Sequence, residues 1–533
     1  MMGWPLLLIL FHMFVFPAHA HTFSTTSLPD LLASHLFQRD LFTRGRLNSS
    51  QVTLELGALV TNTTIYGPDD PRFEKVTERF NTFAIPNIQL VVEPGVEGDI
   101  AVIVTYCAQN SIDFLPVNRG HGYPLSLASF TGIQINMTRL TAIKINHKDT
   151  DSRAAIAETA WFQAGVYTKQ VTDYLWERGY IATTGTCECV GLLGPGLGGG
   201  HGKLEGTYGL VSDNIRQLNV VLADGSAITV NRTSHADLFW AMRGAGHNFG
   251  IVTSFELNVF PRTPETDTWT WNNYAWRGKY LANVFEALNK LHGNGSTPID
   301  MAFSVGNLLL NTSVSSTEPV LTWSFAYRGS SKDASALLTE VDINDIPSIS
   351  HQSGESPYPD VARIQGFDTQ SPVCSTSLKR TISTAGLQVY NITTEQRIFD
   401  SFVQRIAIHP EIAASTFIMH EGYATAAVEA GDRDDSAYPF RDDHHLMLFH
   451  AGLPHDANQN DEDEAWRWAF EVRGLWNEGQ PGRDRHDYVN YANGFEDVSE
   501  IYGEEWRVNR LEELKERYDP ENKFRFYNPI GRD

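Results

Sequence analysis

The stretch TGTCECVGLLGPGLGGGHGKLEGTYGL, residues 184–210, sets two cysteines one residue apart and then crowds glycines around a histidine. Gly194 to Gly199 is a literal G-x-G-x-x-G. A dinucleotide fingerprint opens a helix straight after its last glycine and carries an acidic residue about 20 positions on. Here Gly200, Gly202 and Gly206 follow, which is poor helix material, and no such acid stands after a second strand. A P-loop needs Ser or Thr after Gly202-Lys203 and a glycine at position 197; the chain has Leu204 and Leu197. Cys187, Cys189 and His201 lack the usual spacing of a structural zinc site, and no metal is assigned. Val190, Leu192, Leu193 and Leu197 interrupt what would otherwise be a flexible linker. What remains is close approach of bare backbone to a flat or charged ligand. Glycine adopts positive φ and carries no Cβ, and successive N–H groups can surround a pyrophosphate or a ring edge. A thiol beside such a loop could bond to what it holds.

The whole chain has 533 residues, more than one hydrophobic core usually fills, so two lobes are expected. Its composition is globular, and a net charge of −23 argues against nucleic acid and anionic membranes as partners. The N-terminal run MMGWPLLLILFHMFVFPAHA ends in an A-x-A pattern, which predicts a signal peptide over residues 1–20, cleavage after Ala20 and secretion. No later segment reads as a membrane span. Sequons stand at Asn48, Asn62, Asn136, Asn231, Asn294, Asn311 and Asn391, predicting glycosylation, although Asn136 falls in a strand-like run. The four cysteines, Cys107, Cys187, Cys189 and Cys374, are too few for a disulfide scaffold.

Residues 21–82 read as a mixed N-terminal extension. Then NIQLVVEP, EGDIAVIVTYCAQN and IDFLPV give a strand, a helix and a strand, ending in the Gly-rich turn NRGHGYP. GIQINMTRL and AIKINHK read as strands, and AGVYTKQVTDYLWERGY as an amphipathic helix. IRQLNVVLADGSAITVN reads as a hairpin turning at Asp224-Gly225. ADLFWAMRG is a short helix whose Phe239 and Trp240 belong to the core, and GIVTSFELNVF is a buried strand. One α+β lobe therefore spans 83–262. Over 263–480 longer helices alternate with strand runs, the pattern of an antiparallel sheet covered by helices. DDHH, Asp442 to His445, precedes a strand and reads as a solvated turn. The segment 481–533 is rich in aromatic residues and should return to the body.

Together these motifs resemble a known family. The stretch from Gly185 through ADLFWAMRGAGHNFGIVTSFEL is similar to the PCMH-type FAD-binding domain of the vanillyl-alcohol oxidase superfamily, and more closely to the berberine-bridge-enzyme-like oxidases. VNRGHGYP and YVNYANG…LEELKERYDPENKF resemble two further hallmark segments, so the likeness runs from about Ile85 to Pro529. The resemblance implies an α+β fold: an FAD lobe of two α+β subdomains, a substrate lobe over the flavin, and a C-terminal segment returning to the FAD lobe. It implies FAD held covalently through His121, at the place of the histidine that bonds the flavin 8α-methyl. Cys187, followed by Val190 and Gly191, fits the C-x-x-V-G cysteine that bonds flavin C6, and Cys189 is left as a packed or supporting thiol. Arg119 and Val117 depart from the family's R-x-G-G-H pattern, leaving Gly120 before His121 and Gly122 after it; Arg119 would face solvent or reach a phosphate. Gly198, Gly199 and Gly200 would approach the isoalloxazine and pyrophosphate. Gly250, Ile251 and Val252 would meet the adenine end. Asp213 and Asn214 would stabilise a turn, and His201 would be structural.

A flavin accepts hydride at N5, so the protein must orient a substrate C–H and remove any hydroxyl proton. Tyr123, two positions after His121, and Tyr488 and Tyr491 of YVNY are the candidate base or substrate contacts; Asn490 is a candidate flavin contact. The implied function is a secreted oxidase transferring hydride from an alcohol, sugar or aromatic metabolite to FAD, with O2 as electron acceptor and H2O2 as product. The alternatives are a flavin-dependent ring-forming or C–C bond-forming enzyme, and a non-catalytic ligand-binding glycoprotein of the same fold.

Overall fold

The computed structural model describes residues 47–146, 158–293, 295–374 and 378–531. The expected signal peptide and the Asn294 sequon lie outside them.

Period-2 runs of β-branched residues set the first sheet. Strands Thr63–Tyr66, Asn87–Pro94, Thr131–Asn136 and Phe114–Val117 lie side by side in that order. The first pair is antiparallel and the others are parallel. The helix Gly98–Gln109 makes the crossover, as a parallel pair requires. Its buried Asp99 accepts hydrogen bonds from the backbone N–H groups of Thr61 and Asn62 and from the hydroxyls of Thr61 and Thr63. This ties the N-terminal segment to the sheet.

The second sheet is antiparallel, ordered Ile143–Asn146, Thr159–Gln163, Ile251–Asn258, Ile215–Val221 and Ala227–Asn231. Its last two strands form the expected hairpin, with Gly225 at φ +87° in the turn. Phe239 and Trp240 are buried in the core shared by these two sheets.

The third sheet has seven antiparallel strands, all drawn from residues 269–453. Side-chain alternation divides its faces. On strand His445–Leu453, Met447, Phe449 and Ala451 pack under the helices Ile392–Ile408 and Gln459–Glu478. Leu446 and Leu448 point the other way, joining Met419, Tyr423, Phe303, Leu204, Leu210 and Tyr488 in an apolar seam against the glycine run. That seam is where chemistry can be sheltered from water.

The C-terminal segment packs back as its aromatic content predicts. Phe524 meets Phe114 edge-on, Phe526 meets Phe130, and the buried Lys515 donates to the carbonyls of Asn248 and Phe524 while pairing with Asp519.

Three expectations are corrected. Asn136 is 3% exposed and donates its amide to Glu93, so no glycan fits there. Cys189 is not a packed thiol: it forms a disulfide with Cys374. The segment Asp442 to His445 is not a solvated turn, because Asp443, His444 and His445 are buried. Asp443 pairs with Arg483 at 2.7 Å and His486 at 2.9 Å, and His445 stacks on Tyr390. The sheet is flanked by helices on that side, so the strand's entry turn is covered.

Candidate active site

The cysteine loop and the glycine run are pressed together. A Cβ on Gly202 would sit 1.8 Å from the Thr184 carbonyl oxygen, so only glycine fits there. Gly199 and Gly200 hold φ of +102° and +86°, the region glycine adopts without strain. Added Cβ atoms would strike Asn490 at Gly198, Tyr438 at Gly199 and Val211 at Gly200. The bareness of the run thus serves the protein's own close packing as well as any ligand. The expected turn is in place: Leu210 N–H donates to Asp213, and the Asn214 amide donates to the carbonyls of Tyr208 and Leu210.

A cleft of about 820 Å³, counting the part open to solvent, runs from this loop toward the C-terminal aromatics. Gly194, Asn118, Gly250, Ile251, Val252, Lys523 and Tyr527 are in its walls. The lining is mostly apolar with a few polar groups, the usual make-up of a cofactor cleft. Asn118 donates its amide to the carbonyls of Ala164 and Val166, while its buried side-chain oxygen has no partner. A Cβ added to Gly194 would meet nothing within 4 Å. An elongated, flat-ended cofactor fits such walls. Arg119 does not line the cleft: it is exposed, and its guanidinium caps the ring of Tyr167 at 4.0 Å.

Apart from the cleft's lining, an aromatic ladder gathers the expected residues. His121 stacks on Phe80 at 4.9 Å, Phe80 meets Tyr123 at 5.5 Å, Tyr123 meets Tyr491 at 6.1 Å, and Tyr491 meets Tyr488 at 5.1 Å. The His121 Nδ1 donates to the Arg119 carbonyl at 3.1 Å, and Nε2 lies 3.4 Å from the Cys189 sulfur. Burial pushes this imidazole down to about 4, so it is neutral near pH 7 and keeps one lone pair. Cys187 is a free thiol that burial pushes up to about 12, with Glu421 adding to the rise and Lys203 opposing it.

The tyrosines divide their tasks. Tyr488 accepts from the Gly200 N–H at 3.1 Å and from the Asn490 amide at 2.6 Å. Asn490 also donates to the Pro195 carbonyl. Tyr491 instead donates to Glu421 at 3.0 Å, and Tyr423 donates to the same carboxylate at 3.4 Å. Burial holds all three phenols above their ordinary range, and it raises Glu421 to about 7. Glu421, which sequence reading missed, therefore titrates near neutrality. Its one signal is a carboxylate inside the apolar strand run TFIMHEGY, where an acid is seldom buried without purpose.

His201 is buried as a link between Glu205 and Tyr438, at 3.0 and 2.7 Å. Asp442, Asp443 and His486 converge closely enough to hold an ion, but Arg483 already supplies the positive charge there.

Comparison with known proteins agrees with this arrangement. Residues 88–231 match the FAD binding domain family, and residues 487–531 match the berberine and berberine-like family. The chain is 45% identical to an FAD-linked oxidoreductase of Penicillium roqueforti over 492 residues, which is 92% of this chain and 94% of that protein. It is also 45% identical to one of Pestalotiopsis fici over 508 residues, 94% and 95% of the two chains. Among solved structures, the xylooligosaccharide oxidase of Myceliophthora thermophila superposes with a TM-score of 0.75 at 20% identity, covering 91% of this chain and all of that one (100%). The glucooligosaccharide oxidase of Acremonium strictum, which carries a 6-S-cysteinyl, 8α-N1-histidyl FAD, superposes at 0.73 and 20% identity, covering 91% and 99%. At that identity these likenesses establish the fold, that of the PCMH-type FAD-binding oxidases.

Proposed function

Because the chain belongs to the FAD-linked oxidoreductases with a berberine-like C-terminal segment, we propose that it is an oxidase in which Glu421 takes the substrate proton through Tyr491. The observation that carries this is the buried hydrogen bond from Tyr491 to Glu421 on the sheet face opposite Cys187. His121 and Cys187 would hold the cofactor covalently, as a histidine and a cysteine do in the Acremonium enzyme. Asn118, Gly194 and the segment Gly250 to Val252 would line its nucleotide part. FAD held there would supply the hydride acceptor, with O2 as the final electron acceptor.

The residues' own tasks follow from their partners. Neutral His121 keeps a lone pair for a bond to carbon. Tyr488 and Asn490 fix the glycine run and act as positioning residues. Tyr123 and Tyr491 form the aromatic wall against which a substrate hydroxyl would lie. The Tyr491 phenol, held protonated, passes a proton to Glu421 and recovers one from the substrate, so the carboxylate need not touch the substrate itself. A general base with a pKa near the working pH is the efficient choice.

The oxidised group would be an alcohol, sugar or aromatic metabolite. Secretion is the compartment that suits both the A-x-A terminus and the Cys189–Cys374 disulfide. Asn48, Asn62 and Asn311 are exposed sequons, and Asn231 and Asn391 partly so, in keeping with that compartment. Incubating the purified protein with panels of sugars and of phenolic alcohols tests the reading. Peroxide formed in step with substrate loss supports it; turnover without peroxide assigns the electrons to another acceptor and overturns the oxidase.

A further inference from the structure

Gly202-Lys203, which fails as a P-loop, leaves a buried cation unassigned. Lys203 is 5% exposed. The tight contact of Gly202 with Thr184 delivers it into the seam between the glycine run and the seven-stranded sheet. Its ammonium lies 5.4 Å from the ring centre of Phe303 and 6.0 Å from that of Phe367. Two aromatic rings thus wall this place, and Phe303 in turn stacks on Tyr423 at 4.6 Å. Among the described residues the Lys203 ammonium has neither a hydrogen bond nor an ion pair. The acids that act on it through space are engaged elsewhere. Glu188 pairs with Lys169 at 3.5 Å and accepts from the Thr369 N–H, while Glu421 accepts from Tyr491 and Tyr423.

An ammonium withdrawn from water is costly unless an anion or hydrogen bonds complete it. Aromatic faces supply only part of that compensation. We propose that Lys203 binds the anionic group of an aromatic acid, fixing which end of the substrate enters the seam and so selecting acidic aromatic substrates over neutral sugars. This rests on the reading of the Cys187–Glu421 face as the substrate side. Burial lowers Lys203 to about 8, so it is cationic at neutral pH and loses its charge above that.

Calorimetric titration of the purified holoenzyme with phenylacetate and with phenylacetamide tests the proposal, with flavin content read by absorbance on the same sample. Phenylacetate should bind more tightly, and Lys203→Met should weaken it by about tenfold, the scale of one charge-assisted contact, while leaving the amide unchanged. Lys203→Arg should retain the preference. In the wild type the affinity for phenylacetate should fall as pH rises through about 8, since the carboxylate is ionised throughout. Equal affinity for acid and amide, an unchanged ratio in Lys203→Met, or a flat pH profile would overturn it; the profile decides alone should that variant fail to fold. A colourless protein that keeps the Lys203-dependent preference would sink the oxidase reading and sustain this one. A yellow protein without the preference would do the reverse.

Discussion

Glu421 shows how much a single residue can carry that its neighbours in sequence do not announce. Replacing Glu421 by Gln keeps the shape and removes the proton acceptor. The expected result is a fall in kcat of about two orders of magnitude or more, with flavin content and melting temperature close to wild type. The wild-type rate should rise with pH as Glu421 ionises through about 7, and this limb should vanish in the Gln variant. Rapid-mixing kinetics over pH 5 to about 9 measures both. Tyr491→Phe should lower kcat too, whereas Tyr488→Phe should act chiefly through loss of its bonds to Gly200 and Asn490. The YVNY motif named both tyrosines but could not rank them, because the ranking depends on which one meets the carboxylate. That carboxylate sits 70 residues upstream of Tyr491, on strand Thr416–Tyr423, whereas Tyr491 lies in a turn.

The cysteine loop is an element stapled to another. Cys189 and Cys374 are 185 residues apart, and their bond joins the flavin-side loop to the segment before strand Lys379–Leu387. Local sequence carries no sign of such a pairing, so Cys189 read as a spare thiol. Cys374→Ser should cost about 2–4 kcal/mol of stability, the usual contribution of a bond closing a long loop. Thermal unfolding with and without reductant checks this: reductant should lower the wild-type transition and leave the variant's unchanged. The variant should also hold the Cys189 sulfur less firmly beside His121, which the two residues' 3.4 Å contact requires. By contrast the strands, the hairpin at Gly225 and the long helices were legible, because periodicity and turn chemistry are local properties. The Asp442 to His445 turn was misread because its burial is decided by the helices above it, which no short window contains.

Across the whole molecule, two sheets wall the cleft and a third packs its apolar face against the glycine run. The segment from 487 onward completes the first two. The apolar seam against the glycine run was not legible, since its members come from distant strands. The same burial makes the molecule sensitive to acid. His121 and His247 are lowered to about 4, His292 and His450 to about 3, and His445 well below its ordinary value. Each such histidine is more readily protonated unfolded than folded, so its contribution is full above about 6.5 and is lost as pH falls toward the folded value. Glu421 and Asp487, both raised to about 7, and His201, raised by Glu205, act in the opposite sense and lose their contributions as pH rises. The histidines outnumber them, so the melting temperature should drop on acidification from about pH 6.5 to about 4, as calorimetry would record.

On this reading His121 and Cys187 hold a flavin against the Glu421–Tyr491 pair. Acid precipitation of the purified protein, followed by proteolysis and mass mapping of the yellow fragments, tests it directly. The colour should stay in the pellet, and flavin mass should be found on the peptide containing His121, joined to the peptide containing Cys187. Flavin released wholly into the supernatant, or a protein that never carried it, would contradict the account.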